Sequence, residues 1–287
     1  MASPKGVDGT RLLYPYLQKD LLSSDVWLFQ MLTARLVVDL GIWLPPIVYQ
    51  RLPVLLPYAV RDPDCRGDPK NGIPDQWGSP NSAGFFRDDN SLVKVMPRSL
   101  SIESERSVYR SARMDKGFVA AHVWRRLTGG ASAARDRLTY SFVPNLVWLP
   151  SDVARLTDRE GSFVQAFVQA LAVKTYRGLP VVPSMKRFVD QIWEMLPQPL
   201  GIPQQALPGV EDLNFFSVTP AWLARRLQKI VGVHEAFKDL RAGALHRPKV
   251  ISSRYTTGLI SMKPESARVL YEELDLYRNC CEDAARG

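Results

Sequence analysis

The order His122, Asn145, Asp158 around two short apolar runs constrains this chain more than any other feature. Gly117-Phe118-Val119-Ala120-Ala121-His122-Val123-Trp124 is rich in β-branched and aromatic side chains, which predicts a strand carrying His122. Asn145 precedes the run Leu146-Val147-Trp148-Leu149-Pro150, and Ser151-Asp152 then opens a helical start that ends at Asp158. A strand, a loop with a polar anchor and a helix can bring all three polar residues together. Each has an ordinary structural role as well. A histidine on an apolar strand serves as a hydrogen-bonded core residue, an asparagine before an apolar run as a turn residue, and an aspartate beside a helix as a cap. Their joint order and spacing favour a shared site over three separate coincidences.

The segment from residue 115 to about residue 178 resembles the core of the HNH (ββα-metal) nucleases. That family often reads as a His, a variable loop, Asn-Leu-Val-x-Leu, then a metal-binding His or Asn at the thirteenth position after the Asn, where this chain has Asp158. The resemblance implies an α+β fold with a central ββα-metal core embedded between mostly helical N- and C-terminal regions. It also implies a metal-dependent DNA endonuclease that hydrolyses phosphodiester bonds, in a bacterial defence or restriction setting by analogy. Such hydrolysis requires an activated water and stabilisation of charge on the phosphate and leaving oxygen, which an imidazole base and one hard divalent cation supply. On this resemblance His122 is the general base, and Asn145 orients the imidazole or braces the loop. Asp158 would be an oxygen ligand for magnesium or manganese.

The chain departs from the family at two places. Ala121 stands where an aspartate ligand often precedes the histidine, which leaves a further carboxylate to be found between Asp115 and Asp136. Pro150 and Val153 occupy positions where one cysteine pair of a structural zinc would stand, so no structural zinc is expected and packing has to brace the core.

Charge agrees with a polyanionic partner. The 37 lysines and arginines exceed the 29 aspartates and glutamates to give a net charge of +8, and phosphate neutralisation by such groups releases condensed counterions. Arg125, Arg126, Arg135 and Arg137 accompany Gly129-Gly130 between His122 and Asn145, where their planar forks suit phosphate oxygens of DNA; a solvated basic turn is the alternative. Arg98, Arg106, Arg110 and Arg113 add charge just ahead of the expected strand, and Arg225, Arg226 and Lys229 give a second basic helix face. Three cysteines do not make a disulfide scaffold, so a reducing, cytoplasmic setting is expected. Met1 to Thr10 is polar rather than a signal sequence, and the apolar stretch Val26 to Val60 is too interrupted by charge, proline and glycine to span a membrane.

Four stretches are expected. Residues 1–60 form a helical N-terminal region: after Leu12 to Leu22, Ser23-Ser24-Asp25 is a helix start, and Trp27, Met31, Ala34 and Val38 at helical spacing predict a packed helix, with a partner or homodimer surface of Trp27, Phe29 and Trp43 as the alternative. Residues 61–114 form a long loop and strand region, including a strand over Ser91 to Met96. Its Asp62, Asp64 and Asp68 do not match an EF-hand, because Arg66 and Ile73 stand where ligands are needed. Residues 115–180 form the HNH-like core, closed by a helix whose stripe is Phe163, Val164, Phe167, Val168 and Leu171. Residues 181–287 are mostly helical after the proline-rich 196–208, with a helix start at Thr219-Pro220, strands over Lys249 to Ser261 and a last helix from Pro264 to Tyr277. His234 and His246 lack ligand-like companions and read as structural. Two other classes remain beside the nuclease: a catalytically inactive nucleic-acid-binding protein on the same scaffold, and a partner-docking subunit.

Overall fold

The computed structural model describes residues 23–66, 77, 85–105, 109–199, 201–244, 246–252 and 258–286. In chain order the longer helices are α1 (Ser23–Leu40), α2 (Pro46–Arg51), α3 (Ser91–Val95), α4 (Ser151–Thr157), α5 (Phe163–Ala172), α6 (Lys186–Met195), α7 (Pro220–Arg241) and α8 (Pro264–Arg286). The strands are β1 (Ile42–Trp43), β2 (Ala59–Arg61), β3 (Phe86–Asp88), β4 (Ile102–Glu103), β5 (Phe118–His122), β6 (Leu146–Pro150) and β7 (Asn214–Phe216). The fold is α+β.

Five of the strands form one mixed sheet in the order β4-β7-β1-β6-β5, in which only β1 and β7 run parallel. Each of the four stretches read from the sequence supplies at least one of these strands. The proline-rich 196–208 does not separate two cores, because Leu196 and Leu207 are buried in the same apolar cluster as Val37, Leu146 and Phe237. At the turn from α1 into β1, Gly41 is the residue the geometry accepts: a Cβ there would lie 2.4 Å from the Val37 carbonyl. Trp43, a candidate for an aromatic partner surface only in the alternative reading, is fully buried in β1, whereas Trp27 on α1 is 59% exposed.

β5 and β6 pair antiparallel with Ala120 opposite Trp148 and His122 opposite Leu146. Leu146 to Leu149 are essentially buried, and each such apolar side chain contributes about 1.5–3 kcal/mol by leaving water. α4 follows β6 directly and lies against both strands of the hairpin. β5 is an edge strand, and the turn before α3 covers it: the Asn90 side-chain amide donates to the Ala120 carbonyl at 2.6 Å. α3 is tied down from its other end, where Trp148 Nε1 donates to the Lys94 carbonyl at 3.2 Å.

Two expectations for secondary structure need correction. Ser91 to Val95 is a helix, not a strand, because Asp88 and Asp89 turn their carboxylates onto the free amides of Leu92 and Ser91 at its start. Lys249 to Ser261 holds no strand among its described residues. Gly258, in the left-handed region at φ 85°, and the bond from Leu259 N to the Pro248 carbonyl at 2.7 Å close a loop there instead. The stretch Leu12 to Leu22 lies outside the described residues. The helix starts at Ser23 and at Thr219-Pro220 stand as the sequence predicts, the latter capped by the Thr219 hydroxyl, which accepts from Trp222 N.

Candidate functional site

The hairpin and its loop, α4, Arg61 and Arg66 at and after β2, and residues 89–98 around α3 line a cleft of about 990 Å³. His122 and Asp158 both line it. His122 arrives there as the last residue of β5, where the strand leaves the sheet for the loop 123–145; Asp158 arrives as the C-cap of α4. Ala121, standing where the family often has a ligand, also lines the cleft.

His122 is half-buried, and its Nε2 lies 2.9 Å from the Tyr140 carbonyl oxygen. A carbonyl only accepts, so Nε2 carries the proton and Nδ1 keeps its lone pair. Nδ1 has no protein partner among the described residues. Burial pushes the imidazole down to about 4; the Tyr140 bond opposes this and the nearby Arg61 charge adds to it. The ring is therefore neutral at pH 7 with its free lone pair at Nδ1, though its proton affinity is below that of an ordinary imidazole.

Asn145 is fully buried behind the cleft and does not line it. Its Oδ1 accepts from Trp124 N at 2.7 Å, its Nδ2 donates to the Thr139 carbonyl at 2.8 Å, and its own carbonyl accepts from Val123 N at 3.1 Å. Of the two roles read from the sequence, these hydrogen bonds are those of the loop brace; Asn145 makes no hydrogen bond to the imidazole.

Cations dominate the lining. Arg125, Arg126 and Arg155 stand on the side of the hairpin and α4, and Arg61, Lys94 and Arg98 on the side of β2 and α3. None of these six enters an ion pair among the described residues, in contrast to Arg66, which donates to the buried Asp89 at 2.7 Å in the same cleft. Six cations outside ion pairs outnumber the exposed carboxylates Asp158 and Glu160 in this concave surface, a net positive field suited to a polyanion. Arg135 and Arg137 do not line the cleft: Arg137 pairs with Glu273 on α8 and lies over the Phe85 ring. Arg110 and Arg113 are exposed away from it, and Arg106 lies outside the described residues. Arg226 stacks over Trp222 and Lys229 donates to the Val250 carbonyl, so neither joins the cleft.

Neither carboxylate proposed for the gap at Ala121 reaches the cleft. Asp136 is occupied inside the loop, accepting from the Leu138 and Thr139 amides at 3.0 and 2.9 Å, and Asp115 is exposed ahead of β5. The exposed carboxylates that do line it are Asp158 and Glu160. Among the described residues no three His, Cys, Asp or Glu side chains gather around one point. Asp158 and Glu160 are the exposed oxygen donors the cleft offers; magnesium in general keeps several waters and uses one or two carboxylates together with substrate phosphate oxygens.

Sequence reasoning missed Arg61, Lys94 and Arg155 as cleft cations, and Tyr140 as the partner of His122. No local signal marks the first two, since only the fold brings β2 and α3 to the hairpin. His234 does not approach this site; it pairs with Asp275 at 2.9 Å and stacks on Tyr271. No helix among the described residues is long and apolar enough to cross a membrane. Comparison with protein families, with curated proteins and with solved structures finds no match to this chain.

Proposed function

We propose that this protein is a divalent-metal-dependent endonuclease of the HNH kind that hydrolyses DNA phosphodiester bonds in the cytoplasm, in a restriction or defence setting. The observation that carries the reading is a neutral histidine with an unpartnered Nδ1, His122, lining a cleft walled by six unpaired cations. The resemblance over residues 115–178 adds to it, and the strand, loop, strand and helix order is what such a core needs.

In this reading the arginines and Lys94 hold the sugar-phosphate backbone, and His122 Nδ1 takes a proton from water as the water oxygen bonds to phosphorus. The opposite P–O ester bond breaks with its electron pair going to the leaving oxygen. A magnesium or manganese ion held by Asp158 and Glu160 would stabilise charge on the phosphate and on that oxygen. Asn145 keeps the loop, and with it Tyr140, in place.

Plasmid nicking by the purified protein in magnesium or manganese tests the proposal, with chelator as the control. Asp158→Asn keeps the side-chain shape and removes its charge, so the metal concentration for half-maximal cleavage should rise several-fold. An identical metal titration would assign Asp158 to capping α4. Absence of cleavage with DNA binding retained would instead favour the inactive nucleic-acid-binding reading, to which Ala121 points.

The cleft cations predict the salt response. Arg125→Ala on one wall and Lys94→Ala on the other should each lower the slope of log affinity against log salt by about one, with little change in sequence preference. Unchanged slopes in both would move the DNA track out of this cleft.

A further inference from the structure

Behind His122 lies a chain of contacts that the resemblance does not assign. Tyr140 holds the imidazole twice: its carbonyl accepts from Nε2 at 2.9 Å, and its ring stacks on the imidazole with centroids 5.5 Å apart and planes inclined by 26°. The Tyr140 hydroxyl in turn donates to Asp88 Oδ2 at 2.6 Å, and both residues are buried. Asp88 also accepts from the Ser91 hydroxyl at 2.8 Å and from Leu92 N at 3.0 Å, which fixes the carboxylate at the start of α3. Two residues on, Asn90 stands at φ 78°, a left-handed conformation that asparagine tolerates better than most side chains, and its amide reaches the Ala120 carbonyl at 2.6 Å. The Asp88-to-Leu92 turn therefore grips the strand before His122 and the loop beside it.

We propose that Asp88 and Tyr140 are positioning residues that lock the His122 ring in the orientation and tautomer that leave Nδ1 facing the cleft. The proposal rests on the reading of His122 as the base. Its physical content is geometric. A carbonyl bond alone permits the ring to rock about the Nε2 axis, whereas a stacked ring that is itself anchored at its far end through a charge-assisted hydrogen bond does not. Asp88 has no access to substrate, since it is buried and does not line the cleft. It acts through Tyr140.

Tyr140→Phe removes the anchor and keeps the ring and the carbonyl; Asp88→Asn is the second variant, removing the charge and keeping the side-chain shape. For both, kcat for DNA nicking is expected to fall roughly tenfold with KM unchanged, because orientation at the reacting centre is lost and phosphate contacts are not. The double variant should be no worse than the worse single one, since both break the same link. A readout independent of cleavage is the imidazole NMR titration, tractable because the chain holds three histidines and His122→Ala assigns the signal. The charged and titratable groups around that ring are Tyr140 backed by Asp88 behind it, Arg125, Arg126, Arg155, Asp158 and Glu160 on its own side of the cleft, and Arg61, Arg66, Asp89, Lys94 and Arg98 on the side of β2 and α3. All but the tested pair are untouched. The wild-type ring should titrate near 4 as the Nε2-protonated tautomer; in both variants a loosened ring should also populate the Nδ1-protonated tautomer, and weakening of the Tyr140 carbonyl bond, which favours the protonated ring, should move the midpoint further down. Unchanged kcat together with an unchanged titration in both folded variants overturns the brace. A shifted titration in a protein that never cleaves DNA supports the brace and overturns the nuclease reading instead.

Discussion

His122→Ala should lower DNA cleavage at pH 7 by about 10²- to 10⁴-fold while leaving DNA affinity and the melting temperature near wild type. The side chain ends an edge strand, is half-buried and makes one hydrogen bond, so its loss removes little packing and leaves the cleft cations in place. The wild-type pH profile provides a second check with a definite sign. Only the neutral imidazole takes a proton, and burial has lowered its protonation to about 4 from the ordinary 6.5. The base form is thus complete at neutral pH and is lost as pH falls through about 4, so the acid limb of kcat/KM should lie near 4 and not near 6.5. A variant lacking the imidazole that still turns over at the wild-type rate rules out the role. An acid limb at the ordinary imidazole value would show that the ring is not buried as described.

The parts of this site that are local in sequence were legible in it, and the parts made by long-range contacts were not. β5 and α4 follow from the β-branched run before His122 and from Ser151-Asp152, whose signals lie within one turn or strand of the residues they govern. Ser91 to Val95 was misread because Leu92, Val93 and Val95 suggest a strand. The polar run Asp88-Asp89-Asn90-Ser91 just before them is the missed signal, since its carboxylates start the helix. Arg135 and Arg137 were recognised as basic, but direction is set by partners far along the chain, and Arg137 turns to Glu273. Arg61 and Lys94 had no such signal at all. β2 pairs with β3, and β3 feeds α3 onto the hairpin, so their arrival at His122 is a property of the fold. Asn145 lies between these cases: its type and place announced a structural anchor or an imidazole partner, and only the hydrogen bonds of the folded loop distinguish the two.

That distinction sets up the largest effect expected on stability. Asn145→Ala should destabilise the protein by about 2–5 kcal/mol, because it strips the partners from two backbone groups at once, the Trp124 amide and the Thr139 carbonyl. Trp124 and Thr139 are both buried, so water cannot simply take over. For a chain of this size a loss of that magnitude lowers the melting temperature by about 5–15 °C. Asn145→Asp is not expected to rescue it. The carboxylate keeps an acceptor for the Trp124 amide, but it sets a second oxygen against the Thr139 carbonyl and buries a charge with no cation among its bonded partners. Tyr140 follows Thr139 directly, so a loop freed at Thr139 also releases the carbonyl that fixes His122. Cleavage per folded molecule should then fall in Asn145→Ala even well below its melting point, through kcat rather than KM. A melting temperature unchanged from wild type would mean that the loop is held by its apolar packing, and that Asn145 contributes to the base in some way other than by bracing it.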